Sequence, residues 1–203
     1  MEISTTYNND HKLATLKDIS VRLGVDKLAS HVLDNPKFVL WSGSSKPFQH
    51  HYGRGGLFSH TYEVIDLCTV MSAYYSCYKM DAKVLFLGAL FHDCGKMWDY
   101  TPANPEMTFW NSADHKRSIH HISRSSVEWT LAMAKAPMEC PSDLFESVLH
   151  IIIAHHGNRL AGSPVAPKSR EAWLVHLCDG ISARMCDADT WDVVRGGVGA
   201  KGV

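Results

Sequence analysis

The chain has 203 residues, of which 45% are hydrophobic and 20% charged, the composition of one compact soluble domain with a sizeable core. Its 20 lysines and arginines against 21 aspartates and glutamates give a net charge of -1, which disfavours a protein that binds long duplex DNA through a basic surface. Glycine and proline are too few for a disordered or collagen-like chain. The feature that needs an explanation is histidine, because eleven of the 13 histidines lie between His50 and His176.

The N-terminus and the cysteines indicate the cellular compartment of the protein. Residues 1–18 lack the basic segment and apolar stretch of a secretory signal, and no apolar run approaches the length that spans a bilayer. The six cysteines form no C-x-x-C pair, as is typical of reduced thiols. The sequence therefore predicts a cytoplasmic protein without a membrane segment.

Helical periodicity dominates the predicted elements. In chain order, apolar spacing predicts helices over about 13–33 (interrupted near Gly24), 57–75, 82–97, 120–136, 141–155 and 169–185. Residues 35–56 are expected to be irregular, 101–114 to form a loop or short lid, and 157–168 to form another loop. The prediction is an all-α helical bundle with few or no strands. It consists of an N-terminal helical extension (1–40), a main domain (41–190) and a flexible tail (191–203).

Histidine and aspartate residues recur on separate predicted helices or at their ends. They are His60, the pairs His92–Asp93, His120–His121 and His155–His156, and Asp179. Facing helices of a bundle that each contribute a ligand form a metal site in this way, and imidazole with carboxylate but no cysteine favours Mn, Fe, Co, Ni or Zn. A single histidine on a helix more often has a structural role. Asp93, however, follows an almost purely apolar segment, and an ionised carboxylate buried there needs a cation.

Five short segments around these residues occur in a fixed order. They are GGLFSHTYEV, FHDCGK, HHIS, AHHG and GSPVAPKSREAWLVHLCDGISARM. In this order they resemble the HD-domain superfamily of metal-dependent phosphohydrolases, over about residues 40–186. The stretch is most similar to the HD module of the YhaM-type 3′–5′ exoribonucleases, and less similar to the HD module of some conjugative relaxases. The YhaM-type enzymes carry an OB domain before this module, for which about 40 residues are too few, so a stand-alone HD domain is expected.

The resemblance implies two divalent cations, with Mg added to the candidate metals. It assigns His60, His92, Asp93 and Asp179 to one metal, and Asp93, His121 and His155 to the other, with His156 as a further candidate. Asp93 and Lys96 are the implied catalytic residues. Lys96, His120, Arg124 and His156 are the candidate substrate contacts; Arg124 is included because it lies one helical turn after His120. His50 and His51 match a short motif of the same relatives and are expected at the rim of the pocket.

The implied activity is hydrolysis of phosphate esters of nucleotides or short oligonucleotides by a metal-activated hydroxide. The expected partner is a small nucleotide or a short single-stranded nucleic acid, and a homo-oligomer is left open. Three alternatives remain: a 3′–5′ exonuclease on single-stranded RNA or DNA, a di-iron oxygenase with the same ligand set, and a catalytically idle nucleotide-binding module. Aromatic residues between positions 98 and 110 either stack a base over the site or belong to the core.

Overall fold

A computed structural model describes the backbone of residues 5–47, 49–136 and 142–198, and the side chains from 9 to 186 within these ranges. Its helices are α1 (Thr5–Leu23), α2 (Asp26–Leu33), α3 (Pro36–Leu40), α4 (Gly56–Tyr74), α5 (Ala82–Phe91), α6 (Lys96–Asp99), α7 (Asp114–Ser118), α8 (His121–Lys135), α9 (Ser142–Ala154) and α10 (Arg170–Val198). A short 3-10 helix covers Arg159–Ala161. Strands β1 (Tyr100–Pro102) and β2 (Trp110–Ser112) pair antiparallel, with Tyr100 opposite Ser112. The all-α class with few strands is confirmed.

Helix α5 lies at the centre of the bundle. All of its residues from Val84 to Phe91 are buried, and it packs against α4, α9 and α10. A helix that is apolar on every side is expected in such a position. Gly88 allows α9 to come close, because a Cβ at this position would lie 2.4 Å from Ile151 Cδ1. The burial of α5 places the two residues that follow it, His92 and Asp93, deep inside the protein.

Several predicted element bounds differ from the structure. The helix predicted over 82–97 ends at Phe91, and after a turn α6 begins at Lys96. Residues 36–40, expected to be irregular, form α3, because Asn35 caps its N-terminus and Pro36 occupies its first position. The predicted loop over 101–114 contains the β1–β2 hairpin. Helix α10 continues to Val198, well beyond the predicted end at residue 185.

The N-terminal helices share the core of the bundle. Helix α2 packs against α5 and α8, while α1 packs against α2, α4 and α5. Leu16, Leu28 and Val32 belong to the same buried cluster as Phe91 and Trp129. The division into an extension (1–40), a main domain (41–190) and a tail (191–203) stays a prediction from the sequence. None of the helices in the described ranges has the length and apolar character needed to cross a membrane.

Candidate metal centre

The structure brings the predicted metal ligands together from five segments of the chain. His60 comes from α4, His92 and Asp93 from the turn after α5, His121 from the start of α8, His155 and His156 from the residues after α9, and Asp179 from α10. Their ligand atoms form two groups, each with all atoms within 4.8 Å of one another. We call them the His60 cluster (His60, His92, Asp93 and Asp179) and the His121 cluster (His121, His155 and His156).

The carboxylate of Asp93 lies between the two clusters. Its Oδ2 is 3.3 Å from Nε2 of His60 and 3.4 Å from Nε2 of His92. Its Oδ1 is 3.4 Å from Nε2 of His121 and 3.6 Å from Nε2 of His155. Each oxygen therefore faces a different pair of imidazoles, an arrangement that allows one carboxylate to bridge two cations.

Hydrogen bonds fix the imidazole tautomers in the His60 cluster. Ser182 has a single hydroxyl proton, which it donates to the carboxylate of Glu63 at 2.8 Å. The Ser182 oxygen lies 3.0 Å from Nδ1 of His60. It must therefore accept a hydrogen bond from the N–H at this nitrogen. His92 donates from Nδ1 to the Ala89 carbonyl at 2.7 Å. In the neutral rings, both Nε2 atoms then carry lone pairs, and these atoms face each other at 3.3 Å.

The His121 cluster is oriented in the same way. Asp99, which is fully buried, accepts a hydrogen bond at Oδ1 from Nδ1 of His115 at 2.9 Å, and its Oδ2 lies 3.3 Å from Nδ1 of His121, which favours a proton on that nitrogen. His155 donates from Nδ1 to the Ile152 carbonyl at 2.7 Å, and His156 donates from Nδ1 to the Ala161 carbonyl at 2.8 Å. All three imidazoles of the cluster therefore present an Nε2 lone pair, the form in which histidine binds a metal.

Three buried acceptor atoms between the clusters have no hydrogen-bond partner among the residues that the structure describes. They are Oδ1 of Asp93, Nε2 of His121 and Nε2 of His155. A buried polar atom without a partner costs about 1–3 kcal/mol, so three such atoms at one place need an explanation. One carboxylate oxygen and two imidazole nitrogens are ligand atoms that first-row divalent cations bind. The residues of this site therefore fit a metal ion.

The pKa values differ between the clusters for physical reasons. Burial lowers the pKa of His121 to about 3, although the hydrogen bond to Asp99 opposes this change. Burial also lowers the pKa of His60, but hydrogen bonds to Asp179 and Asp93 outweigh it and raise the pKa to about 9. Burial also lowers the pKa of His156, to about 4, so His121 and His156 are neutral imidazoles near pH 7. In the His60 cluster, two carboxylates surround a position that favours positive charge.

Lys96 contacts the metal centre directly. Its ammonium lies 2.6 Å from Oδ2 of Asp93, and only 8% of the residue is exposed. Burial lowers the pKa of this lysine, but the Asp93 carboxylate outweighs burial and raises the pKa above its usual value. Lys96 also lines a cavity of about 380 Å³ together with Asp93, His155, His156 and Asp179. A ligand in this cavity therefore meets a buried, charged ammonium next to the metal ligands.

The structure places the other predicted substrate contacts differently. His120 directly precedes His121, and its ring centroid lies 6.4 Å from that of His156, so it belongs to the rim of the site. The guanidinium of Arg124 instead lies 2.8 Å from Glu128 and 4.0 Å above the ring of Trp98. It lines a separate, larger cavity of about 810 Å³. Arg124 is thus not brought to the metal centre, because Glu128 and Trp98 hold its side chain elsewhere.

Among the aromatic residues expected to stack a base or fill the core, most have packing partners. Tyr100 and Trp110 are buried, and Trp110 packs edge-on against Trp41 with ring centroids 5.3 Å apart. Trp98 is half-buried beneath Arg124. Phe109 alone among these four is strongly exposed, at 61%. The core interpretation therefore applies to Tyr100 and Trp110.

The sequence interpretation missed three residues that orient the ligands. They are Asp99, Ser182 and Glu63, and none of them contacts the centre between the clusters directly. Ser182 also accepts from Nε2 of His51 at 3.0 Å, so His51 supports the same hydroxyl. A carboxylate six residues after Asp93, in the apolar segment KMWDY, was the available signal for Asp99. Serine at position 182 carried no such signal.

Replacing Ser182 by alanine is expected to lower the affinity of the His60 cluster for a divalent cation by about 10–100-fold, because the orienting partner of the His60 imidazole is lost. Competition with a coloured chelator measures this change. The matched control is Ser72→Ala, since the Ser72 hydroxyl bonds only the Thr69 carbonyl on α4. Unchanged metal affinity in Ser182→Ala would contradict the orienting role, and Ser182→Thr, which keeps the hydroxyl, should restore affinity.

Comparison with known proteins identifies the family. Residues 57–184, more than half of the chain, match the family model of the HD domain. The chain is also 28% identical over 191 residues to the 3′–5′ exoribonuclease YhaM of Bacillus velezensis, covering 93% of this chain and 55% of that protein. It thus spans about half the length of this relative, and no solved structure matches it significantly. The family predicted from the ordered segments is confirmed: the chain belongs to the HD domain family.

Proposed function

We propose that the protein hydrolyses phosphate esters of nucleotides or short single-stranded oligonucleotides, with two divalent cations held by the His60 and His121 clusters. The observation that carries the proposal is the position of Asp93, whose two carboxylate oxygens face different imidazole pairs. The unpartnered Oδ1 of Asp93 supports a second cation beside the first. A buried carboxylate shared in this way is typical of two-metal phosphoryl chemistry.

The residues of the chain have distinct roles in this reaction. A bound divalent cation lowers the pKa of a coordinated water and neutralises charge on a phosphoryl oxygen. Asp93 would contribute one oxygen to each metal position, while Asp99 and Ser182 keep the imidazoles in their ligand orientation. Lys96 lines the cavity and stabilises negative charge on the phosphate. His120 contacts the substrate from the rim, whereas Nε2 of His156 would face the same cation position as those of His121 and His155.

A second candidate within the same chemistry is 3′–5′ exonuclease activity on single-stranded RNA or DNA. The observation that favours it is the similarity to the 3′–5′ exoribonuclease YhaM over 93% of this chain. A substrate that is degraded stepwise from its 3′ end would distinguish it from a nucleotide hydrolase. A di-iron oxygenase would need iron and O₂, so phosphate release under strict anaerobiosis contradicts that alternative. A cytoplasmic location remains a prediction from the sequence, which leaves the oligomeric state open.

Exhaustive chelation is expected to abolish hydrolysis, and addition of one of Mn, Fe, Co, Ni, Zn or Mg is expected to restore it, because the lone pairs of both clusters converge on cation positions. The assay uses bis-p-nitrophenyl phosphate, nucleoside mono- and triphosphates, cyclic dinucleotides, and single-stranded RNA and DNA. Activity that survives chelation would contradict the proposal. So would failure of every metal to support hydrolysis of any of these substrates.

A further inference from the structure

Two lysines that form no ion pair with any described carboxylate lie on α7 and on the segment that precedes α4. The ammonium of Lys116 donates to Oγ of Ser45 at 3.2 Å and to the hydroxyl of Tyr100 at 3.3 Å. It also lies 4.8 Å from the centroid of the Tyr100 ring. Lys46 directly follows Ser45 and is exposed. In the part of the chain that the structure describes, no carboxylate forms an ion pair with either lysine.

A chain of contacts connects Lys116 with the metal centre. Lys116 donates to Tyr100, and Tyr100 follows Asp99, the carboxylate that orients His121. Burial lowers the pKa of Lys116, and the positive charges of Lys96 and Lys46 lower it further, although Asp99 opposes them. Lys116 is thus within electrostatic reach of Lys96, which pairs with Asp93 at 2.6 Å. Positive charge therefore continues from the metal centre through Lys96 and Lys116 to Lys46.

The arrangement has the properties of an anion-binding site. An ammonium has three N–H donors, and Lys116 uses two of them on neutral hydroxyls, so one donor and the full charge remain. Adjacent cations repel one another, and an anion placed between them removes this cost. The rim also carries backbone strain, since His120 adopts φ 69° and ψ 148°, a conformation rare for any residue other than glycine. Strain of this kind is concentrated where ligands bind.

A single-stranded nucleic acid is the ligand whose charge distribution fits this site. Its phosphates repeat along the backbone, so a strand with one phosphate at the metal centre places a neighbouring phosphate beyond it. Lysines that neutralise successive phosphates are the usual means of holding such a strand. A mononucleotide monophosphate or a small aryl ester has no second phosphodiester to contact the lysines. The site would therefore favour oligonucleotides over smaller esters.

We propose that Lys116, Lys46 and the Ser45 hydroxyl bind the phosphodiester next to the one that is cleaved in a single-stranded oligonucleotide. This inference rests on the proposed function, because it takes the scissile phosphate to lie between the two metal clusters. It makes Lys116 a determinant of substrate length, whereas Lys96 acts on the phosphate at the centre. The contact is to backbone phosphate alone, so it applies to RNA and DNA alike.

The test measures binding and hydrolysis separately. Fluorescein-labelled, phosphorothioate-substituted decanucleotides of RNA and of DNA resist hydrolysis, and fluorescence anisotropy gives their Kd with the metal-loaded protein. We expect Lys116→Ala to raise the Kd about tenfold and to reduce the salt dependence of binding by about one charge. Lys46→Ala should raise the Kd about threefold, and since Lys46 is exposed, this variant does not endanger folding.

The control variant is Lys135→Ala. Lys135 is an exposed lysine at the C-terminal end of α8, about 20 Å along the helix from His121, and it should leave the Kd unchanged. Hydrolysis of bis-p-nitrophenyl phosphate is measured for each variant. An unchanged Kd in Lys116→Ala would overturn the inference. Normal ester hydrolysis in the same variant would show that the proposed function still holds. If Lys116→Ala loses both oligonucleotide binding and ester hydrolysis, the inference is also overturned, because Lys116 would then have a packing role.

Two further outcomes test the proposed function and the backbone contact separately. If wild-type protein with any of the metals hydrolyses neither the ester nor unmodified oligonucleotides, the proposed function is wrong. A raised Kd in Lys116→Ala and Lys46→Ala would then still support a phosphate-binding site at these lysines. If only the DNA or only the RNA decamer responds to Lys116→Ala, contact to the backbone phosphate alone is contradicted.

Discussion

Replacing Asp93 by alanine is expected to lower the hydrolysis of bis-p-nitrophenyl phosphate by about 1,000-fold or more and to reduce the bound metal in both clusters. The physical reason is that Asp93 is the residue whose two oxygens contact the His60 and the His121 clusters. The substitution also leaves the buried ammonium of Lys96 without its carboxylate. Metal content by atomic emission and kcat/KM under saturating metal measure the two effects.

Two further variants make the Asp93 result specific. Asp93→Asn keeps the shape of the side chain but removes its charge, so it should lose metal and activity while retaining the helical circular dichroism spectrum. Asp18→Ala on α1, which is exposed and pairs with Arg22, should change neither metal content nor turnover. Wild-type turnover in Asp93→Ala would reject the assigned site. Loss of activity with full metal content would show that Asp93 acts other than as a ligand.

Several ligands could be predicted from the sequence because they lie within or directly after an apolar helix. His60 and Asp93 lie in segments that are largely buried, so burial of their polar groups required a partner. The order of the segments then matched a family, and the structure brings the ligand atoms into two groups. This information is local, and a single sequence contains it. The assignment of the individual ligands to two metals stays a prediction.

The residues that orient the ligands could not be predicted in the same way. Ser182 lies 122 positions from His60, and it acts on the imidazole nitrogen that faces away from the centre. Such a contact depends on how α4 and α10 pack, which no pattern along one helix shows. For Arg124, the side-chain direction could not be predicted. Its position one turn after His120 is correct, but the direction of its side chain is set by Glu128 and Trp98.

The element bounds depended on similar information. Periodicity continued from α5 into α6 because residues 91–99 are nearly all buried, although the backbone turns at His92–Gly95. A buried turn and a buried helix have the same apolar pattern. The start of α3 was predictable, since asparagine followed by proline is a strong helix start, but the nearby glycines and serines favoured a loop. The break after α5 required knowledge of what lies against Gly95.

Replacing Gly95 by alanine is expected to reduce the free energy of unfolding by about 3 kcal/mol and to weaken metal binding by more than tenfold. A Cβ at this position would lie 2.2 Å from the carbonyl oxygen of His121 and 2.8 Å from the amide nitrogen of Ser125. Both are backbone atoms of α8, so neither can rotate away. Helices α6 and α8 would have to separate, which breaks the 2.9 Å bond from the Gly95 amide to Ser125 Oγ. Urea unfolding with and without metal measures the change.

Gly180→Ala is the matched control, because the same methyl group is added beside another ligand, Asp179, and no described atom outside the adjacent backbone of α10 lies within 4 Å of its Cβ. In the middle of α10 it should raise the free energy of unfolding by about 0.5–1 kcal/mol, since alanine favours a helix over glycine. The same substitution is therefore expected to lower the free energy of unfolding at Gly95 and to raise it at Gly180. A stable Gly95→Ala protein with wild-type metal affinity would mean that α6 and α8 can move apart without loss of metal binding. The orienting role assigned to Asp99 would then be wrong, because that role requires the two helices to stay in contact.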